Sequence, residues 1–266
     1  MFKKLIINAD DFGYDVDATA AILELLRKQK ISSTTIMANL ARERDLKTLK
    51  NINGISTGIH VNLNAGRPLC HRKEVASLVD KRGKFYESSK LLTRFMLGKI
   101  KISEIEKEIT SQIKRLREMG INISHADSHQ HIHQYPFLGK VILEVLAGMQ
   151  ITKVRNCKLT STPSGRAKII QLFAKLTNKN LKQFHVTDGL IPDFSFAQEY
   201  NRQFFESLLE NSFAKNNVLE IMTHPGIKDR RTSYLNREKE YQFWKNENLS
   251  EILHKKHVQL INYHQL

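Results

Sequence analysis

Short apolar runs alternate with longer amphipathic segments along nearly the whole chain, and this alternation restricts the fold more than any other feature. Apolar runs bounded by turn residues read as buried strands, and apolar residues at three- and four-residue spacing read as helices packed on a core. Residues 5–9, 34–38, 55–63, 121–126, 152–154, 218–222 and 258–261 have the first pattern, with another short extended stretch near 183–186. Residues 16–28, 42–50, 103–118, 137–149, 165–177, 196–215 and 237–255 have the second. In the helix at 103–118, Ser103 and Glu106 have the spacing of a capping box, and Ile105, Ile109, Ile113 and Leu116 form the buried stripe. Residues 64–100, with Gly66, Pro68, Gly83 and Gly98, are less regular and read as an excursion on the substrate side. No repeat or low-complexity linker divides the chain, so a single α/β domain spanning 1–266, a barrel of β/α units, is the economical expectation.

Composition narrows the class of protein. Hydrophobic residues make up 41% and charged residues 26% of the 266, ordinary globular values that argue against disorder. Cys70 and Cys157 have no zinc-like spacing, and a reducing compartment suits them. The N-terminus lacks the apolar core of a secretory signal, and no stretch approaches a membrane-spanning helix; a cytoplasmic location is the expectation. The net charge of +15 raises nucleic-acid and membrane-surface readings. The basic residues are spread over the chain without aromatic interleaving, so no nucleic-acid partner is expected. Two segments, 90–101 and 165–182, combine basic and apolar residues at helical spacing. A solvated basic face over a core stripe explains both; weak contact of the 165–182 helix with an anionic membrane is the competing reading.

Polar, metal-competent residues sit where the apolar runs end, as a β/α scaffold requires of its active site. Asp10 and Asp11 close the first run, and Phe12-Gly13 supplies a turn through which both reach one site. One carboxylate then binds a metal while the other takes a proton from water. His60 lies inside a strand pattern, where a hydrogen-bonded core histidine competes with a ligand. His125, Asp127, Ser128, His129, His131 and His133 crowd nine residues. His129 is central under either a strand or a helix period. Some of these histidines orient ligands or bind substrate, because one ion cannot take all four and keep open positions. His224 follows another strand and precedes a Pro-Gly turn, and Arg155 ends a short one, where it can hold a carboxylate ionised.

Residues 8–13 (Asn-Ala-Asp-Asp-Phe-Gly), Gly58-Ile-His60, 127–133 (Asp-Ser-His-Gln-His-Ile-His) and Thr223-His-Pro-Gly226, in this order, resemble the motifs of the YdjC/ChbG family of carbohydrate deacetylases. The resemblance spans nearly the full chain. It implies a distorted (β/α) barrel of the polysaccharide-deacetylase type and hydrolysis of N-acetyl groups from amino sugars; the basic helix at 165–182 adds a lipid-linked amino sugar as a variant substrate. The resemblance also implies a divalent metal ion, Mg or Zn, and a homodimer. By the same resemblance the metal ligands are Asp11, His60 and His129, Asp10 is the general base positioned by Arg155, and His224 is the general acid. Gln130 stands where chitooligosaccharide-type members usually carry another histidine, a departure that bears on the substrate rather than on the metal set. Two other readings compete: a different metal-dependent TIM-like hydrolase or isomerase, and a basic non-catalytic binding protein with a structural histidine cluster.

Overall fold

β1 (Lys3–Phe12) is buried from Leu5 onward because it is hydrogen-bonded along both edges and covered on both faces. The computed structural model describes residues 2–161, 165–197, 199–231 and 233–266. After β1 come α1 (Val16–Arg27), β2 (Ser33–Ile36), α2 (Glu43–Leu49), β3 (Ser56–Val61), α3 (Ser88–Met96), α4 (Ile102–Glu118), β4 (Ile123–Ser128) and α5 (Leu138–Gly148). The second half adds α6 (Gly165–Thr177), β5 (Gly189–Ile191), α7 (Arg202–Phe213), β6 (Val218–Thr223), α8 (Arg237–Asn246), α9 (Leu249–Lys255) and β7 (Val258–Leu260).

The seven strands form one parallel sheet in the order β4-β3-β2-β1-β6-β5. β7 pairs with Lys3–Leu5 of β1, on the edge that β2 takes over from Asn8. The sheet curls into a distorted barrel through residues 152–160. Arg155 N–H donates to Ala126 O of β4 (3.0 Å), and Leu190 N–H of β5 donates to Lys158 O (2.8 Å). This closing segment carries only isolated bridges, so the strand expected at 152–154 is a pair of bridges at Lys153 and Val154. β5 has three residues and no sequence run of its own to announce it. Gly189 is required there, because a Cβ would lie 2.8 Å from Lys158 O.

Successive strand residues point to opposite faces, and the two faces differ in chemistry. Leu5, Ile7 and Ala9 of β1, Ile59 and Val61 of β3, and Leu219 and Ile221 of β6 pack outward into the main core beneath the helices. The alternate residues, Asn8 and Asp10, His60, Asp127 and Glu220, point inward; Asn8 bonds Asp10, His60 bonds Asp127, and Arg155 bonds Asp10, Asp127 and Glu220. Three helix boundaries differ from the sequence pattern. α4 starts at Ile102 with no side-chain cap from Ser103; Ser77 Oγ from the 64–100 excursion meets the Lys101 N–H instead (3.0 Å). Of the segment expected at 196–215, in which residue 198 lies outside the described residues, the α-helix starts at Arg202, where Asn201 caps the Phe204 N–H (2.8 Å). The segment at 237–255 is two helices broken before Asn248, the cap of α9. The excursion contains α3, and buried carboxylates of α4 fasten it: Glu108 accepts from the Leu69 and Cys70 N–H groups and Glu104 from that of Ser77.

Candidate active site

The site begins with a bulge in β1. Ala9 pairs with Thr34 and Phe12 with Ile36, so three steps along β1 oppose two along β2. Asp11 is the left-handed residue, with φ of 66°, a conformation aspartate tolerates better than most. The chain therefore turns at Asp11 itself, one residue before the Phe12-Gly13 turn expected from the sequence, and both carboxylates face the lumen.

Asp10 is buried and held by a two-pronged ion pair. Arg155 Nη1 and Nη2 donate to its two oxygens at 2.6 Å each, and Asn8 Nδ2 adds a bond at 2.8 Å. Burial opposes ionisation, but the Arg155 guanidinium wins and holds Asp10 well below the usual carboxylate range. Arg155 also reaches Asp127 Oδ2 (2.7 Å) and Glu220 Oε1 (2.8 Å), and Tyr263 OH donates to Glu220 Oε2 (2.6 Å). A fully buried guanidinium is stable here because three carboxylates surround it.

Asp11, His60 and His129 converge on one point. His60 Nε2 lies 3.5 Å and His129 Nδ1 3.1 Å from Asp11 Oδ1. That oxygen is buried and accepts no hydrogen bond, while Oδ2 is taken by Arg237 Nη2 (2.5 Å). His60 Nδ1 bonds Asp127 Oδ1 at 2.6 Å, which turns Nε2 toward the convergence point, the arrangement that metal-ligating histidines share. Burial disfavours a charged His60, yet the Asp127 carboxylate, with Asp10 and Asp11 beyond, raises its pKa to about 9. Asp10, Asp11, Asp127 and Glu220 outnumber the guanidiniums of Arg155 and Arg237, and the excess of carboxylate charge is faced by the imidazoles of His60, His129 and His224. An orphan carboxylate oxygen, two imidazole nitrogens and that charge excess fit a divalent cation.

His224 stands on the other side of Asp10, with Nε2 3.9 Å from Asp10 Oδ2. Its Nδ1 lies 3.1 Å from Ser195 Oγ, whose own hydroxyl donates to Met222 O (3.1 Å). The tautomer assigned from this network carries its proton on Nδ1 and leaves Nε2 open toward Asp10. Burial lowers the His224 pKa to about 4, with Asp10 opposing and Arg237 assisting.

The other histidines stand apart from the convergence point. His125 is buried at the barrel floor, stacked on Tyr263 with ring centroids 3.7 Å apart, and both ring nitrogens are engaged, by Ser124 and by Asn8. His133 bridges Ser128 Oγ (2.5 Å) and the Arg155 carbonyl (3.2 Å), steadying the segment that presents Arg155. His131 faces Cys157 Sγ at 3.5 Å. Gln130 and His131 both have positive φ, which throws the 129–134 segment into a tight turn after β4 and leaves His129 facing Asp11.

Glu220, Ser195 and Tyr263 are not singled out by the sequence pattern, and neither are two charged residues of α8. Arg237 fixes Asp11 Oδ2. Glu240, one turn on, accepts from the His224 N–H (2.6 Å) and the Thr223 hydroxyl, with Ser195 Oγ 3.4 Å away. Burial raises the Glu240 pKa to about 7 against those donors. The only sequence signal of Arg237 and Glu240 is three-residue spacing of two charges in a helix rich in charge, which any solvated face shares.

A parallel ring with charged groups gathered at strand ends places the chain among the α/β barrels that carry their chemistry there. Comparison narrows that class. A family model described as YdjC-like protein matches residues 4–255, and the chain belongs to that family. A carbohydrate deacetylase of Oceanobacillus iheyensis is 33% identical over 88% of this chain and 92% of its own. One of Brevibacillus brevis is 29% identical over 99% of each. Among solved structures, an Enterococcus faecalis protein named for cellobiose-phosphate cleavage superposes with a TM-score of 0.80 at 24% identity, covering 100% of this chain and 99% of its own. A Streptococcus mutans CE4 esterase superposes at 0.51 and 14% identity, covering 98% and 85%. At these identities the structural likeness establishes the fold.

Proposed function

We propose that the chain is a carbohydrate deacetylase that hydrolyses the N-acetyl group of an amino sugar at the Asp10–Asp11 bulge. One observation carries this reading. An ionised carboxylate, an open imidazole nitrogen and three converging ligand atoms lie within one small lumen. Asp11, His60 and His129 would hold the cation, with Asp127 orienting His60 and Arg237 confining Asp11 to one oxygen. The Asp-His-His donor set suits zinc by ligand type, and magnesium is the competing candidate. When bound, a divalent cation supplies polarisation of the acetamide carbonyl and acidifies the attacking water.

The chain's own groups do the rest. Asp10 receives the water proton as the new C–O bond forms; held as acidic as Arg155 holds it, Asp10 works only on a water made acidic. His224 is neutral at rest, and its open Nε2 faces Asp10 Oδ2, so it takes up that proton and delivers it to the departing sugar nitrogen as the C–N bond breaks. The products are acetate and the free amine. Ser195 and Glu240 hold the His224 ring and backbone in this orientation.

Acetate release tests the proposal on N-acetylglucosamine, diacetylchitobiose, longer chitooligosaccharides and a lipid-linked N-acetylglucosaminide. Each is assayed after chelation and after return of magnesium, zinc, cobalt or manganese. Metal-restored release supports the reading and selects among free and lipid-linked sugars. A tightly held metal with no acetate from any substrate would point to a different hydrolase or isomerase. No metal and no acetate would point to the binding-protein reading.

A further inference from the structure

α6 presents an apolar stripe to solvent where packing does not call for one. Ile169, Leu172 and Leu176 lie on successive turns of one side, 54%, 53% and 58% exposed. The opposite side, through Ala174 with Ile170 behind it, packs on Cys157, Leu159, Leu190 and Met222. α6 is thus anchored by one face and free on the other. A helix with its buried face already satisfied ordinarily presents a polar outer face. Single exposed apolar residues need no explanation, but three in register form a continuous strip.

The charge that α6 itself carries is of one sign. Lys168 and Lys175 are exposed one above the other, seven residues apart, along one side of the strip, and Lys179 is exposed in the short helical turn that follows α6. Among the described residues none of them is paired with a carboxylate. The chain has no aspartate or glutamate between Glu144 and Asp188, while Lys153, Arg155, Lys158, Arg166, Lys168, Lys175, Lys179 and Lys182 fall in that interval. Against the site, α6 touches the histidine turn: Phe173 packs on Tyr135 with ring centroids 5.4 Å apart, and Thr177 Oγ1 reaches Gln134 O at 3.4 Å.

We infer that the outer face of α6 docks on an anionic lipid surface. Ile169, Leu172 and Leu176 enter the boundary between headgroups and acyl chains, and Lys168, Lys175 and Lys179 engage the headgroups beside them. An apolar strip with a one-sided lysine border matches such a surface in both chemistry and layout. A self-association face gains nothing from an acid-free border that would meet its own copy. Docking through α6 sets the wall of the site beside the membrane and leaves the site's chemistry untouched, so the inference stands apart from the proposed reaction.

Vesicle sedimentation of the full chain tests it, with phosphatidylcholine vesicles with and without phosphatidylserine. The expected result is sedimentation with the phosphatidylserine vesicles only. Ile169→Ser/Leu172→Ser/Leu176→Ser leaves the net charge unchanged and is expected to weaken binding about tenfold or more. Lys168→Glu/Lys175→Glu/Lys179→Glu is expected to weaken it further, since each basic residue near such a surface contributes about fivefold. A charge-matched control reverses the exposed Lys47, Lys50 and Lys114 instead, on α2 and α4 or next to them, and is expected to lose far less. Circular dichroism confirms that each variant is folded. Undiminished binding of the serine variant, or equal loss in the control, would overturn the inference in favour of diffuse attraction by a basic protein. A wild-type dimer that the serine variant abolishes, seen by sedimentation velocity, would overturn it in favour of a face between two copies.

Discussion

The same strands serve two regions with opposite chemistry, the shell outside the barrel and the lumen within it. Outside, Ile7, Ile59, Leu219 and Ile221 meet helix side chains, and burial of apolar area supplies the stability. Inside, their neighbours Asn8, His60 and Glu220 join Asp10, Asp127 and Arg155 in a chain of ion pairs and hydrogen bonds. A buried polar network adds little net stability but fixes geometry when every member has a partner. The lumen therefore spends stability made by the shell on orienting Asp10 and His60, and the exceptions to full pairing are informative. Asp11 Oδ1 is the buried oxygen left without a donor at the place where two imidazoles converge.

Substitutions that sharpen this contrast fall in a clear order. Asp10→Asn is expected to lower turnover about 10³-fold, because it removes the base. It should leave the affinity for added metal nearly unchanged, since Asp10 is outside the Asp11–His60–His129 set. Near-normal acetate release by this variant would break the base assignment.

A paired comparison on β6 comes next. Ile221→Ala on the shell face is expected to cost about 2–5 kcal/mol in urea unfolding while the folded fraction keeps its turnover. Glu220→Gln, one residue away on the lumen face, removes a carboxylate from Arg155 and is expected to cut turnover about 10- to 100-fold. If both variants changed turnover equally, the division between shell and lumen would fail.

Glu240 offers a pH test of the lumen border. The folded state holds its proton up to about pH 7, whereas an unfolded glutamate releases its own near 4.5. Between those values the folded state binds more protons, so stability falls as pH rises, by about 3 kcal/mol in all, and the loss is complete above 7. Glu240→Gln removes this term, so urea melts of wild type and variant should diverge in favour of the variant from pH 4 to pH 8. Parallel pH profiles would contradict it.

Arg237→Gln is the mildest of the series. Loss of the charge on Asp11 Oδ2 is expected to weaken metal affinity about tenfold without altering the fold, as removal of a ligand's supporting partner does.

Much of this was legible in the sequence, for physical reasons. Buried parallel strands and amphipathic helices each carry a period, so β1, β3, β4 and β6 and most helices stand out. Asp10, Asp11, His60, His129, Arg155 and His224 stand out in the sequence as candidates, because charged and imidazole groups at the ends of apolar runs are expensive without a role; the roles proposed for them come from the family resemblance. The β5 strand was not legible, since three residues around Gly189 carry no period. Nor were Arg237 and Glu240, whose burial follows only from where α8 packs. The capping pattern at Ser103 was misleading because Ser77, distant in sequence, serves the same end of α4. The turn at Asp11 depends on a bulge set by pairing with β2, which no local pattern encodes.

Direct titration of metal into chelator-treated protein by calorimetry tests the central claim most closely. The account predicts one cation per chain in wild type, retained by Asp10→Asn and lost by His129→Ala. Unchanged binding in His129→Ala, or loss of binding in Asp10→Asn alone, would contradict the division of the lumen into a metal-holding set and a separate base.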